Sequence, residues 1–513
     1  MHTLRGLSWM GTRMARGLLR TAFDQASYEF WGKQFGVINV KDFGALGDGV
    51  HDDTAAMQRA IKSAGESGVV VFPPGTYLCS DPLVPLSMQT LVFAAGCQFQ
   101  PTRDTTLWYF NGVFQVTLQG PLQIQDPGQL TQNTACAVFD NGCRYIWVEK
   151  IWGNQVATLL NLRDINASHF VSINGAAIRD NGVILSDNTD ANICNVHDNT
   201  FDSVMITGPT TGIGTQGTGL LYNAETLGTV GGNHWGRLTV LSMDNGIYVG
   251  GAGSHEEWFD TAILDSCSVA WYTAATTSRW FIGNLWMSNG GVGLENGQAA
   301  GGSVSDVQIA NCVARDNSGT ALHNAWIGEG TGMQFGSCSL LNNGGYGLHT
   351  PQGGSFYAPM QFGSLAAVGN TAGDLNLNIG GAGSSEQAVS IGNLQTTHAN
   401  AVDDISGESL RPPALAVASI PTSVALAGPT AGTVYWSWLA NSRALRMVLV
   451  FTGYENDTAT DQTIGFPLSQ FAFTPAISVN TTGLTLSASS TALTITTPDS
   501  TTTYSGVVEI VGM

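Results

Sequence analysis

Residues 37–78, VINVKDFGALGDGVHDDTAAMQRAIKSAGESGVVVFPPGTYL, hold the densest set of structural signals in the chain. Asp53 is a good N-cap for a helix that begins at Thr54, and Gly65 provides a stop for that helix. Short strands are expected on both sides of the turn at residues 73–75. Turn conformations that other residues resist are supplied by glycines, here Gly44, Gly47 and Gly49. The stretch therefore predicts tight turns, one short helix and two strands in close succession.

The same stretch closely resembles the N-terminal segment of the pectate-lyase-like β-helix superfamily. The matching residues are Asp42-Phe43-Gly44-Ala45, Gly47-Asp48-Gly49, Asp52-Asp53-Thr54 and Phe72-Pro73-Pro74-Gly75-Thr76-Tyr77. The resemblance implies an all-β protein whose main domain, residues 37–402, is a right-handed single-stranded parallel β-helix with residues 37–80 as its capping segment. It leaves the chemistry open, because the same segment precedes lyases, hydrolases and non-catalytic spikes.

A coarse repeat between about residues 85 and 400 supports this fold independently. The clearest units start at Trp235, Trp258, Trp280, Val307, Met333 and Met360, in steps of 23, 22, 27, 26 and 27 residues. An Asp or Asn suited to a tight turn stands nine places after four of these starts, at Asp244, Asn289, Asp316 and Asn342. A period of this length with short strands is typical of a solenoid.

Composition excludes several classes of function. The 513 residues include only 11% charged residues and 64 glycines, a profile typical of an all-β protein with many turns. A formal net charge of −19 makes nucleic-acid binding unexpected, and no apolar run is long enough for membrane insertion. The eight cysteines contain no CxxC pair, so free thiols are expected rather than a zinc site. Cys312 and Cys338 share an offset in neighbouring units, which predicts a thiol ladder.

The two ends of the chain differ from its middle. Residues 1–36 predict a basic amphipathic helix that either attaches the protein to a partner or packs on the body. They lack the features of a secretory signal, so release by host lysis is the expected route out of the cell. Residues 403–431 read as a linker, and residues 432–513 as a C-terminal β-sandwich. This arrangement resembles the small C-terminal domains of phage tailspikes, which implies trimerisation or glycan binding.

Residues 255–295 carry the carboxylates and aromatic rings that glycan cleavage needs. Hydrolysis uses two carboxyl groups that flank one glycosidic bond, and lyase chemistry uses a base with a cation. We predict Asp260 with either Asp265 or Glu257 as the acid and base, with Asp244 in reserve. The predicted sugar-binding residues are Trp235, Arg237, Trp258, Trp271, Tyr272, Trp280 and Trp286.

Most of these residues also have a structural explanation. Asp260 has the same offset as Arg237 in the unit before it, so the two could form an ion pair between coils. Asp244 has the offset of a turn residue. The first tryptophans of successive units predict a stack in the core, made of Trp235, Trp258 and Trp280. Those that fall later in a unit are expected at the surface, namely Trp271, Tyr272 and Trp286.

Three functions fit these observations. The first is a phage tailspike, homotrimeric and attached to the virion through residues 1–36 by a tail or adaptor protein, that depolymerises capsule, exopolysaccharide or O-antigen, by hydrolysis rather than by lyase chemistry. The second is a receptor-binding spike of the same fold without catalysis, and the third is a free bacterial lyase or hydrolase. No cofactor is expected. A calcium site is the one alternative, in the acidic stretch that contains Asp187, Asp190, His197, Asp198 and Asp202.

Overall fold

The structure is a computed structural model that describes most of the β-helical region and the strands that follow it. The described residues are 37–127, 135–187, 194–209, 217–223, 227–251, 253–275, 277–296, 304–324, 332–350, 360–377, 389–396, 422–424, 433–441, 444–454, 462–465, 475–480, 485–488, 492–496 and 504–512. The predicted attachment helix, residues 1–36, lies outside them.

The chain folds as a parallel β-helix, which confirms the predicted fold class. Strands of successive coils pair in parallel, and the paired strands form three walls. The first wall, sheet A, is made of Val37–Asn39, Asp48–Asp52, Val69–Phe72, Gly75–Cys79, Thr90–Phe93, Cys97–Pro101, Thr117–Gln125, Trp147–Asn154, His169–Ala176, Thr200–Thr207, His234–Leu241, Trp258–Asp265, Phe281–Ser288, Val307–Arg315, Met333–Leu341, Met360–Val368 and Val389–Thr396.

The other two walls are shorter. Sheet B is made of Trp108–Asn111, Ala135–Asp140, Thr158–Leu162, Asn181–Leu185, Thr218–Tyr222, Asn245–Val249, Val269–Thr273, Val292–Asn296, Leu322–Asn324, Tyr346–Thr350 and Gly373–Leu377. The third wall consists of sheet C, with Cys143–Arg144, Asp164–Asn166, Cys194–His197 and Leu227–Gly231, and sheet D, with Ser254–His255, Thr277–Ser278 and Val304–Ser305.

The capping segment folds largely as predicted. A 3-10 helix, Val40–Phe43, leads through left-handed glycines to the α-helix Thr54–Ala64, which ends at Gly65. Met57 and Ile61 of this helix are fully buried in the hydrophobic core. The side chain of Asp53 differs from the prediction, because it makes no capping bond to the helix. It accepts hydrogen bonds from the backbone N–H groups of Leu46 and Gly47 instead, and so holds the glycine loop against the helix.

Inward-facing aromatic rings stack from coil to coil along sheet A. Phe170, Phe201, Trp235 and Phe259 occupy one position in successive coils, with ring centroids 4.7, 4.1 and 5.9 Å apart. The predicted stack of repeat-start tryptophans is therefore wrong in register. Trp235 is opposite Phe259, whereas Trp258 is opposite His234 and faces outward. Trp235 and Trp280 are fully buried, as predicted.

The turn that follows sheet A uses a left-handed residue in each of these coils. Asn289, Asp316 and Asn342 have φ values of 53°, 55° and 55°, which confirms them as turn residues. Their counterparts in the two preceding coils are Ser242 and Ser266, both at 57°. Asp244 is predicted at the same turn position as these residues. That prediction is wrong in register, because Asp244 lies two residues beyond the left-handed residue Ser242.

All eight cysteines are free and buried, and burial raises the pKa of the Cys267 thiol to about 12. Cys312 and Cys338 are opposite each other in the ladder, as predicted.

Two ladders of buried asparagines join the coils inside the helix. In one, Asn317, Asn343 and Asn370 lie one above another, and Asn343 Oδ1 accepts both the backbone N–H and the Nδ2 of Asn317, at 3.2 and 2.9 Å. Asn370 Oδ1 accepts the same pair of bonds from Asn343. In the other ladder, Asn199 donates to Asn233 in the next coil. Each side chain satisfies backbone groups that a turn would otherwise leave buried and unpaired.

Replacing Asn343 by Ala is expected to lower the free energy of unfolding by about 1–3 kcal/mol, because the amide groups of Asn317 lose their buried acceptor. Urea denaturation followed by circular dichroism measures the change. Asn311→Ala is the matched control, because Asn311 is exposed and donates to Asn284 on the outer face. Equal unfolding free energies for the two variants would contradict a stabilising role for the ladder.

The strands beyond residue 421 pair in antiparallel fashion. A five-stranded sheet contains Thr422–Val424, Thr433–Asn441, Ala444–Tyr454, Pro475–Asn480 and Tyr504–Gly512. A three-stranded sheet contains Gln462–Gly465, Thr485–Ala488 and Ala492–Thr496. Antiparallel pairing begins within the predicted linker, and a sandwich over residues 432–513 stays a prediction. Within the described residues, no helix has the length and apolar character needed to cross a membrane.

Candidate functional site

An outward-facing row of mostly aromatic and imidazole side chains runs along one edge of sheet A. Strand pairing places these side chains at one position of successive coils, in the order Trp147, His169, Thr200, His234, Trp258 and Phe281. Trp147 and Trp258 are each 38% exposed, which is unusual for such large apolar side chains. Trp258 stacks on Phe281 at 5.8 Å, and Trp147 meets the His169 ring edge-on at 4.5 Å. We call these six residues the outer aromatic row.

Two histidine–aspartate pairs repeat beside the outer aromatic row. His169 Nε2 lies 2.8 Å from Asp202 Oδ1, and His234 Nε2 lies 3.0 Å from Asp260 Oδ1. In both pairs the aspartate belongs to the coil that follows the histidine, so one local geometry occurs twice. All four side chains are accessible, and the Asp260 side chain is 67% exposed. Both carboxylates can therefore reach a ligand lying on the sheet.

From Asp202 onward, the position that Asp202 and Asp260 occupy is otherwise held by very small residues, whereas the coil before Asp202 has Val171 there. The equivalent residues in the other coils from 202 to 363 are Gly236, Gly283, Ala310, Gly336 and Gly363. A Cβ added at Gly236 or Gly283 would approach the carbonyl oxygen of the preceding coil to 2.7 Å. The backbone must therefore adjust to accept a side chain here. The two aspartates are consequently hard to explain by packing alone.

The two aspartates are separated by two coils. One strand spacing is about 4.8 Å, so their Cα atoms lie roughly 10 Å apart. Gly236 lies between them and leaves the space above the sheet open. Inverting glycosidases hold their two carboxyl groups about 6.5–9.5 Å apart, whereas retaining enzymes hold them about 5–5.5 Å apart. The separation of the Asp202 and Asp260 Cα atoms thus leaves room for carboxyl groups at the wider, inverting spacing.

Arg237 does not pair with Asp260, contrary to the prediction. The ladder places Arg237 opposite Thr261, one residue beyond Asp260, and His234 takes the position beside the carboxylate. The exposed Arg237 side chain donates from Nε to Thr239 Oγ1 at 3.3 Å. Its strand lies between those of Asp202 and Asp260, so the guanidinium brings positive charge to the middle of this region.

Glu257 is fully buried, which argues against direct contact with a glycan. Its carboxyl accepts hydrogen bonds from Asn233 Nδ2 at 3.0 Å and Trp235 Nε1 at 2.7 Å. Ser254 Oγ lies 3.3 Å away. Burial raises the pKa of Glu257 to about 8, although these hydrogen bonds act to lower it. The residue closes the asparagine ladder of Asn199 and Asn233 inside the core.

Asp265 lies at the opposite edge of sheet A from Asp260. Five residues of extended strand separate the two, on the order of 15 Å, so they are too far apart to flank one glycosidic bond. Asp265 Oδ1 accepts hydrogen bonds from Ser288 Oγ at 3.1 Å and Asn289 Nδ2 at 2.9 Å. Trp286 is beside them, 39% exposed as predicted, with its Nε1 donating to Ser288 Oγ at 2.8 Å.

Two other predicted sugar-binding residues lie elsewhere. Trp271 is fully buried and stacks on Trp280 at 5.3 Å, so its predicted exposure is wrong. Tyr272 is partly exposed on sheet B and meets the Tyr248 ring at 5.1 Å. Burial raises its pKa, and the nearby Glu295 adds to the effect. Asp244 is in the turn between sheets A and B, where its backbone N–H donates to Gly217 O.

The acidic stretch considered for calcium is divided between different partners. Asp202 pairs with His169, and Asp198 Oδ2 lies 2.9 Å from His197 Nδ1. Asp190 lies outside the described residues. Among the residues that the structure describes, no cluster of three or more His, Cys, Asp or Glu side chains could hold a metal ion.

Comparisons with known proteins agree with the resemblance of the capping segment. The family model "Rhamnogalacturonase A/epimerase, pectate lyase-like" matches residues 37–118. A non-secreted LysM effector of Penicillium expansum is 34% identical over 131 residues, which cover 20% of this chain and 9% of the relative. A probable glucan endo-1,3-beta-glucosidase of Arthroderma benhamiae is 49% identical over 57 residues, 9% of this chain and 6% of that protein. A mannuronan C5-epimerase of Azotobacter vinelandii is 48% identical over 64 residues, 11% and 7% of the two chains. The matches thus span less than a tenth of each of these relatives.

Solved structures with a similar course of the chain have low sequence identity. The Dettilon tailspike protein is 12% identical, with 94% of this chain and 95% of that chain covered and a TM-score of 0.44. A surface adhesin of Streptococcus pneumoniae is 12% identical, with 72% and 98% covered and a TM-score of 0.37. An exopolygalacturonase from Thermotoga maritima is 12% identical, with 70% and 91% covered and a TM-score of 0.37.

Proposed function

We propose that this protein binds and cleaves a bacterial surface polysaccharide as a phage tailspike of the parallel β-helix type. The observation that carries the proposal is the repeated histidine–aspartate pair. Asp202 and Asp260 stand two coils apart on an open wall, at a position that holds Gly or Ala in the other coils from 202 to 363. Exposed aromatic rings beside them offer flat apolar faces of the kind that bind sugar rings.

In the proposed reaction the two carboxyl groups act on one glycosidic bond. One of Asp202 and Asp260 protonates the oxygen of the leaving sugar, and the other activates a water molecule on the opposite face of the ring. His169 and His234 hold the carboxylates in place by hydrogen bonds. Trp147 and the Trp258–Phe281 pair hold sugars on either side of the cleaved bond. The scheme is hydrolysis with inversion and needs no cofactor.

The names of sequence relatives support the class of substrate. The matched family model is named for a rhamnogalacturonase, and two relatives are named as a glucan endo-glucosidase and a mannuronan epimerase. These names share polysaccharides as the molecules acted on but differ in reaction. The reaction of this chain is therefore inferred from its own site.

The biological setting is part of the same proposal. We propose a homotrimer that is carried on a phage tail through residues 1–36 and an adaptor protein, and that is released by host lysis. It then acts at the surface of a host cell on capsule, exopolysaccharide or O-antigen. A trimeric mass in solution, measured by light scattering, is the expected result for the assembly.

Incubation with purified surface polysaccharides from candidate host bacteria tests the reaction. We expect shorter chains and new reducing ends on one of these polymers, without the ultraviolet absorbance of an unsaturated sugar. New ultraviolet absorbance would show that the polymer is cleaved by a lyase reaction instead of by hydrolysis. Tight binding to a polymer that keeps its length would refute cleavage and favour a receptor-binding spike.

A further inference from the structure

We propose that Trp286, Asp265, Ser288 and Asn289 form a second glycan-binding site, separate from the site of cleavage. These four residues lie at the edge of sheet A opposite the outer aromatic row. The inference rests on the proposed function, because it assigns this site to another part of the same polysaccharide.

The Trp286 ring has the properties of a sugar platform. It is 39% exposed, and the hydrogen bond from its Nε1 to Ser288 Oγ at 2.8 Å fixes its orientation. A ring already held in one orientation loses little conformational freedom when a ligand packs on it. Ile263 lies opposite Trp286 in the preceding coil and extends the apolar surface.

The polar side chains beside the ring form an ordered chain of hydrogen bonds. Ser288 receives the bond from Trp286 and donates in turn to Asp265 Oδ1 at 3.1 Å. Asn289 Nδ2 donates to the same oxygen at 2.9 Å. Within the residues that the structure describes, no hydrogen bond reaches Asp265 Oδ2. A partly exposed carboxylate oxygen held in this way is suited to accept a bond from a sugar hydroxyl.

The charge at this site favours an uncharged sugar. The Asp265 carboxylate repels an anionic sugar that packs on Trp286. Arg315, opposite Ser288 in the next coil, has its Nε 2.6 Å from Asp316 Oδ2, so its charge is already compensated. A neutral hexose unit therefore fits this site better than a uronic acid or a sialic acid.

A second copy of this chain is the main alternative occupant. The centres of protein–protein interfaces are rich in apolar and aromatic side chains and poor in charged residues. Here the aromatic ring is single and has a carboxylate and an amide directly beside it. This composition favours a hydroxyl-rich ligand over a protein surface.

Binding to polysaccharide by a non-cleaving variant tests the inference. In an Asp260→Asn background, we expect Trp286→Ala to weaken binding to the polymer roughly tenfold, the loss of one stacked ring. Trp286→Phe should keep most of the affinity, because a flat ring remains. Met205→Ala is the matched control with unchanged affinity, since Met205 is exposed in the same row of sheet A three coils earlier.

Three results would overturn the inference, and they are distinguishable. If the Asp260→Asn parent binds no polysaccharide, the proposed function fails and this site fails with it. If the parent binds and Trp286→Ala binds equally well, only the second site is refuted. If Trp286→Ala keeps its affinity but lowers the mass measured by light scattering, the surface is an interface between copies of the chain.

Discussion

Replacing Asp260 by Asn is expected to lower the rate of polysaccharide cleavage by roughly 10²- to 10⁴-fold, the usual contribution of a general acid or base. Asparagine has nearly the same shape but cannot exchange a proton in the reaction. The fold should be unaffected, because an exposed side-chain contact such as that of Asp260 with His234 contributes little stability. Reducing-end release measures the rate, and circular dichroism measures the fold.

Two further variants sharpen this test. Asp202→Asn should lose activity to a similar degree, because the proposed reaction needs both carboxyl groups. Asp198→Asn should keep full activity, although Asp198 is also an exposed carboxylate that pairs with a histidine. Activity retained in Asp260→Asn would remove this residue from the reaction. Equal losses in all three variants would indicate a general effect of charge.

Local chemistry made the fold predictable from the sequence. Gly44, Gly47 and Gly49 all adopt the left-handed backbone that the turn residues implied. The helix that follows begins at Thr54 and stops at Gly65, as expected. The units at Val307, Met333 and Met360 also align as predicted. These features depend only on neighbouring residues or on repeats of nearly constant length.

Register errors account for the mistakes at the site. Side chains alternate between the two faces of a strand, so a shift of one residue exchanges inside and outside. The repeat spacing aligns Trp258 with Trp235, whereas Phe259 is the true partner. That alignment places Trp258 in the core and makes Arg237 the partner of Asp260. The predicted exposure of Trp271 is wrong for a different reason. Which side chains of a sheet B strand point inward depends on the turn that precedes the strand, and the sequence does not define that turn.

The second half of the site could not be read from spacing alone. Asp202 is far in sequence from Asp260 and from its own partner His169, and His234 is far from its partner Asp260. Only the register of the coils brings these residues together. A signal was present nonetheless. Aligning the coils on the buried aromatics Phe170, Phe201, Trp235 and Phe259 places a histidine directly before two of them and an aspartate directly after the other two.

Glu257 is expected to make the stability of the β-helix fall as the pH rises from about 5 to 8. Its pKa is raised from 4.5 to about 8 in the folded protein by burial. Between these values the folded state binds more protons than the unfolded state, so the free energy of unfolding decreases with pH. The full effect is on the order of 5 kcal/mol, at about 1.4 kcal/mol for each pKa unit. Thermal unfolding across this pH range measures it.

Glu257→Gln isolates this contribution from other titrating groups. Like the protonated carboxyl, glutamine has no charge to desolvate, and its one oxygen can still accept the bond from either Asn233 or Trp235, which reach different oxygens of Glu257. The variant should therefore match the natural protein near pH 5 and unfold at a higher temperature, by roughly 5 °C or more, near pH 8. Asp265→Asn, at a partly exposed carboxylate, should not reproduce this divergence. If the unfolding temperatures of the natural protein and Glu257→Gln change with pH in parallel, the burial of this carboxyl is not coupled to its protonation. If the natural protein instead gains stability relative to Glu257→Gln as the pH rises, the hydrogen-bond donors around Glu257 stabilise its ionised form by more than burial destabilises it.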